Sequence, residues 1–350
     1  MVDRSSFFDE RVALPRIDQH GAPIQLPNTK RAPSEGELPV SLNSDLIERF
    51  HLPAIAAVSP AAYLALEGAW RASASSLDSE LFALIVQQVE ALLDPEGATS
   101  TSTEVSGGHL AAASAVVEQF VDYVPDVDAE LLAPVLDQLG KTGLRSFIEA
   151  IYTVDQTTRL RVAHRRLFGD AEFSADFPEW PADRKVLTPI RANNLWHDTI
   201  LAPGTVKPDA ELSAFVREIV RLRAGWYHHC DLCNSLRLVE DGVPVVDGAT
   251  DRLVMQSDFE GADLSAATKA ALRYADVYMT DPANITDAIK ADLFQHFTRD
   301  QVVQLTLELS SWNYQKTLVA LRIDKAVHEG KLTAFILNDH GTVTPGDPLS

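Results

Sequence analysis

The chain has 350 residues, 46% of them hydrophobic and 23% charged, which is too long for one small domain and too apolar for a disordered segment. Fifty acidic against thirty basic side chains leave a formal charge of −20, a balance that repels phosphate backbones and anionic lipid and argues against a nucleic-acid partner. The longest apolar runs, such as Leu81 to Val86, fall far short of the roughly 20 residues a bilayer span requires, and the first residues lack a signal-peptide pattern, so no membrane partner is expected and a cytoplasmic protein is.

Residues 1 to about 45 carry Pro15, Pro23, Pro27, Pro33 and Pro39 with little apolar periodicity and read as an extended N-terminal arm without chemistry. Beyond it, apolar residues recur at helical rather than strand spacing. Leu264, Ala267, Ala271, Ala275 and Tyr278 form one stripe, and Val302, Leu305, Leu309 and Trp312 another. Thr298 and Gln301 are spaced as a capping box at the head of the second stripe, and Pro208 is placed as a first-turn proline for a helix containing Glu211. The expected fold class is all-α.

A long internal repeat orders these helices. LDSELFALIVQQVEALL, with Glu80, is similar to PDAELSAFVREIVRL, with Glu211, and the block beginning DAELLAPVLDQLG is similar to the one beginning DAIKADLFQHF, with Phe147 set opposite Leu305. Two helical modules in tandem follow, over 46–168 and 185–330, joined by a Pro- and acid-rich linker at 169–184 and followed by a C-terminal tail at 331–350. The first copy is the shorter. Where the second carries two cysteines, the first has only ATSTSTEVSGG, a flexible connection, so its expected role is to bury the apolar face a lone module would expose.

Cys230 and Cys233 are the chain's two cysteines, which excludes a disulfide scaffold and suggests a reducing compartment. Gly225 reads as a break after the helix holding Glu218, with a new helix starting near the pair. In the first turn of a helix, unpaired N–H groups and the dipole favour a thiolate, and positions three apart lie on one face, close enough for a disulfide that forms and reopens. The residues therefore point to a reversible dithiol that needs no other cofactor. Dipole reasoning favours Cys230 as the more ionised thiol.

Glu218, eleven residues, then Cys230-Asp231-Leu232-Cys233 resembles the alkylhydroperoxidase D-like branch of the carboxymuconolactone decarboxylase superfamily. LSAATKAALRYADVYMTDP and FTRDQVVQLTLELSSWNYQKTLVAL look like the helices that follow the cysteines there. The resemblance covers roughly 186 to 325, with a weaker copy over about 45 to 168. It implies helical modules that associate into homo-oligomers and a hydroperoxide substrate. It makes Cys233 the attacking sulfur, Cys230 the resolving one and Glu218 the proton acceptor, with a thioredoxin-like or lipoyl-carrying reductant restoring the dithiol. Which sulfur attacks stays open between the resemblance and the dipole argument. Members with decarboxylase activity generally lack the pair.

The chain departs from that pattern at Arg237 and Leu232, where histidines stand in the family. Guanidinium cannot shuttle a proton, but Arg237 at i+4 on a helix would stabilise a thiolate. His228 and His229, just before Cys230, are the candidate replacements for the shuttle, against a surface or N-terminal capping role. Zinc is the rival use of a CxxC beside histidines, yet no second CxxC or HxxxH pair supplies the remaining ligands, so no metal is expected. Read without the resemblance, Glu218 is a solvated charge between Arg217 and Arg221. Trp226 and Tyr227 are core or the wall of a hydroperoxide pocket, and His296 and Trp312 lie on later helices that could reach it. The expectation is a thiol peroxidase. The alternatives are a drifted decarboxylase-like enzyme acting on another small molecule and a noncatalytic oligomeric scaffold.

Overall fold

The computed structural model describes residues 52–95, 97, 108–169, 177–181, 183–256 and 259–349. The N-terminal arm, the Ser/Thr/Gly connection over 98–107 and much of the linker lie outside the described residues. The first half consists of α1 (Pro53–Val58), α2 (Pro60–Ser76), α3 (Ser79–Leu93), α4 (Gly108–Asp122), a 3-10 turn (Val124–Asp126) and α5 (Ala129–Phe168). The second half begins with α6 (Pro189–Leu201), a 3-10 turn (Pro208–Ala210) and α7 (Ala214–Tyr227). It continues with the short α8 (Asp231–Ser235), β1 (Leu236–Glu240), β2 (Val243–Pro244) and α9 (Gly248–Val254). Then come α10 (Ala266–Thr280), a 3-10 turn (Pro282–Asn284), α11 (Asp287–His296), α12 (Arg299–Trp312), α13 (Gln315–Ala320), β3 (Thr333–Leu337) and β4 (Val343–Pro348).

Helix starts follow local capping chemistry. Asp78, Ser213 and Ser265 each accept a hydrogen bond from a first-turn N–H, and Thr298 with Gln301 makes the reciprocal capping box that the sequence predicts. Both apolar stripes are helical except for Leu264, which precedes the N-cap Ser265, and Ala271, Ala275, Tyr278, Val302, Leu305, Leu309 and Trp312 are buried. Pro208 behaves differently from expectation: it opens a separate 3-10 turn, and α7 starts only after Ser213.

The order helix, 3-10 turn, helix, helix occurs twice. In the first half, the two final helices are run together in α5 across Gly140, whose φ of 68° and ψ of 176° break the helical path. α5 packs against α2, α3 and α4, as α12 packs against α6 and α7; α2 meets α6 and α5 meets α12 between the halves. Matching Asp128-Ala129 with Asp287-Ala288 also aligns Glu149 with Glu308, Gln156 with Gln315 and Thr158 with Thr317, one residue away from the Phe147–Leu305 register read from the apolar pattern. A single hydrophobic cluster, from Leu52 to Leu321, runs through both halves.

The molecule is mostly helical, but the all-α expectation is corrected by a four-stranded sheet in the order β2-β1-β3-β4. Leu236 to Leu238 pair in parallel with Thr333 to Phe335, so the segment read as a tail supplies the neighbour of the strand that leaves the cysteine pair. β2 and β4 flank this centre antiparallel. The strands escaped notice because they are short and β1 is buried at three consecutive positions, which hides the period-two signal. Among the described residues no helix is long and apolar enough to cross a membrane.

Candidate functional site

Gly225 does not end α7; it lies inside the helix and permits a close approach. A Cβ there would stand 3.0 Å from Asn234 Oδ1 and 3.2 Å from the Cys233 Cβ, so the missing side chain lets α7 lie directly against the CxxC turn. The helix ends at His228. His229 takes a left-handed φ of 52°, its N–H donates to the Trp226 carbonyl at 3.2 Å, and the Cys230 N–H donates to the Gly225 carbonyl at 3.0 Å. This is a Schellman closure with histidine where glycine is usual, and it turns the chain sharply into α8.

Cys230 is the N-cap of α8, and its Sγ accepts from the Cys233 N–H at 3.3 Å. The two residues form a disulfide with a Cα–Cα distance of 5.3 Å, within the span such a bond requires. Cys230 is fully buried, whereas Cys233 retains 8% exposure. The expected dipole contribution shrinks, because α8 is one turn long. Discrete hydrogen bonds replace it. Asp324 accepts from the Asp231 N–H through its carboxylate at 3.0 Å and from the Leu232 N–H through its backbone carbonyl at 2.5 Å. Burial pushes the Asp324 carboxyl above its ordinary range.

Glu218 is buried, against the solvated reading of its sequence neighbourhood. Its two oxygens accept from Arg221 Nε and Nη2, both at 2.6 Å, and Oε1 also accepts from the Leu238 N–H at 3.0 Å. Arg221 in turn donates to the carbonyls of Cys233, at 2.8 Å, and Leu236, at 2.6 Å. Its guanidinium lies 5.0 Å from the centre of the Phe335 ring on β3 and 5.9 Å from that of Trp312. Glu218 thus reaches the cysteine turn through Arg221 and fixes where α8 passes into β1.

The remaining candidates separate. Arg237 is on β1, not four residues along a helix from Cys233; its Nε donates to Asp251 at 2.7 Å and its Nη1 to the carbonyls of Asn234 and Leu236. The i+4 thiolate contact is therefore corrected, because α8 stops at Ser235. His228 caps the C-terminus of α7 rather than a helix N-terminus, and its Nε2 lies 2.9 Å from Asn313 Oδ1. Burial, aided by the charge of Lys316, holds its pKa down at about 3, so the ring is neutral near pH 7. His229 is exposed, with Nε2 3.2 Å from the Tyr123 hydroxyl of the first half. Tyr227 stacks edge-on with both Tyr123 and His228, and Trp226 lies under Arg223. Trp312 donates to Glu308, and His296 closes α11.

Sequence reasoning missed Arg221, Asp324 and Phe335, which shape the cysteine turn from three separate segments. The one signal available was the Glu218–Arg221 spacing of three residues, which puts opposite charges on one helical face.

No family model matches the chain, and no solved structure matches it. It has similarity to a mycobacterial protein. Over 219 residues it is 27% identical to the uncharacterized protein Rv2313c of Mycobacterium tuberculosis strain ATCC 25618 / H37Rv, covering 59% of this chain and 70% of the relative. The uncharacterized protein MT2376 of strain CDC 1551 / Oshkosh matches over the same extent at the same identity.

Proposed function

We propose that the protein is a thiol-dependent peroxidase of the alkylhydroperoxidase D-like kind, built from two tandem modules of which the first has lost its cysteines. The recurring order of helices and the matched Glu149 and Glu308 support the duplication. The observation that carries the activity is the disulfide between the N-cap and the third residue of α8, with Cys230 fully buried and Cys233 keeping 8% exposure.

In the reduced protein the thiolate of Cys233, the less buried of the two cysteines, attacks a hydroperoxide oxygen. The S–O bond forms as the O–O bond breaks; sulfur loses two electrons, and the alkoxide leaves as the alcohol after taking a proton from water. Cys230 then displaces the sulfenic oxygen as water, restoring the disulfide. A dithiol reductant of the thioredoxin-like or lipoyl class returns two electrons and two protons by exchange. Glu218 acts in this scheme as a positioning residue, because its oxygens hold Arg221, which holds the Cys233 carbonyl.

A second reading has its own support. The deep burial of Cys230 suits a structural clamp between α7 and β1. Closing so short a loop constrains the unfolded chain little, by about 2 kcal/mol on the loop-entropy relation. The readings part in one experiment: titrate thiols of the reduced, folded protein before and after one equivalent of cumene hydroperoxide. Loss of both thiols together, blocked by Cys233→Ser, supports the peroxidase. Thiols that persist in folded protein refute it and leave the clamp.

A further inference from the structure

A cavity of about 380 Å³ lies between α2 and the middle of α5, in the first half, and residues 186–190 at the start of α6, in the second. None of its lining residues belongs to the cysteine site, and its size is at the small end of the range for ligand pockets. Arg145 lines it. The Nε of that guanidinium is buried and makes no hydrogen bond with the described residues. Arginine keeps its charge at any working pH, so a buried N–H without an acceptor carries the full cost of its desolvation.

A second source of positive potential faces the same space. Thr188, Pro189 and Ile190 line the cavity and form the N-terminus of the 13-residue α6. Thr188 as N-cap makes no side-chain capping bond, and the first turn of α6 holds no acidic residue. Its leading N–H groups and the positive end of its dipole thus join Arg145 in favouring an anion. Ala72, Val186, Leu187 and Ile190 give the wall an apolar side, Ser75, Ser76, Thr142 and Ser146 add hydroxyls, and Glu149 also lines it.

The matching place in the second half carries glutamine where the first half has Arg145, and its cation, Arg217, is paired. Gln304, the counterpart of Arg145, donates directly to Glu308 at 3.0 Å, and Arg217 at 2.7 Å and Trp312 at 3.2 Å complete that carboxylate's partners. In the first half Glu149 accepts from Asn193 at 2.9 Å and from the Tyr314 hydroxyl at 3.0 Å; Arg145, one turn away, acts on it by charge, and the Arg145 Nε is left without an acceptor. Burial raises the Glu149 carboxyl to about 7, so this neighbour does not impose a full negative charge on the space near neutrality.

We propose that this cavity binds a small organic anion, a carboxylate or phosphate monoester on an apolar body, with its charged group between Arg145 and the start of α6 and its body against Leu187 and Ile190. The test is calorimetric titration of the full chain with benzoate, phenyl phosphate and the neutral isostere benzyl alcohol. One of the two anions is expected to bind at millimolar concentration or below, and the alcohol at least tenfold more weakly. Arg145→Met should weaken the anion at least tenfold, while Cys230→Ser, which disables the redox pair, should leave it unchanged. Should Arg145→Met fail to fold, Leu187→Trp, which fills the cavity, is expected to abolish binding instead. The proposal is overturned if neither anion binds, if benzyl alcohol binds as well as they do, or if anion affinity survives the substitution at Arg145 or, in its place, at Leu187.

Discussion

Replacing Glu218 by Gln separates two roles for this residue. Arg221 is 2% exposed and Glu218 1%, and they meet through two hydrogen bonds of 2.6 Å. Neutralising one member of a buried pair leaves the other charge uncompensated, at a cost of about 3–5 kcal/mol. The lower part of that range is expected, because Arg221 keeps the Cys233 and Leu236 carbonyls as acceptors and the Gln oxygen can still receive the Leu238 N–H. A loss of about 3 kcal/mol is therefore predicted in urea unfolding of the oxidised protein. Arg221→Met should cost a similar amount, since it strands Glu218 and two carbonyls. The double variant should lose at least about 2 kcal/mol less than the sum of the singles, because the pair acts as one unit. Glu218→Gln that stays within about 0.5 kcal/mol of wild type, well below the expected loss, while slowing peroxide-driven thiol loss would refute this reasoning and return Glu218 to the role of proton acceptor.

Gly225→Ala places a methyl against Asn234 and the Cys233 Cβ, and we expect a loss of about 1–3 kcal/mol by urea unfolding together with slower disulfide re-formation, the cost of overpacking a close contact. His229→Gly relieves a left-handed residue at the Schellman closure and should leave stability equal or raised by up to about 1 kcal/mol despite the lost Tyr123 contact. Unaltered thiol oxidation in that variant would show that His229 takes no part in proton transfer. Glu149 sets a pH dependence. Its folded pKa of about 7 exceeds the ordinary 4.5, so its contribution to stability is fully present below about pH 4.5 and is lost as pH rises through about 7. Wild type should therefore lose stability relative to Glu149→Gln across that window, by a few kcal/mol in parallel unfolding series, and parallel curves would contradict the assignment. Deleting residues 331–350 removes Phe335 from over Arg221 and uncovers the β1 edge, and we expect a lower unfolding midpoint and self-association on a sizing column.

The local parts of this protein are legible in its sequence because they depend on neighbours three or four residues apart. The stripes of α10 and α12, the capping box at Thr298 and the nearness of Cys230 to Cys233 are contacts of that range, and a helical period displays them directly. The tertiary structure decided what the local pattern leaves open. Gly225 reads as a break in one dimension but serves as a contact surface in three, since its meaning lies in the Cys233 Cβ beside it. Glu218 lost its apparent solvation because the cysteine turn, the C-terminal β3 and α12 close over α7, while Arg237 turned away to Asp251 once the chain left α8 as a strand. The parallel pairing of Leu236 with Thr333 and the capping of α8 by Asp324 join segments separated by some ninety residues or more. Such pairings follow from which buried polar groups must find partners once the core has formed, and no sequence period records that choice.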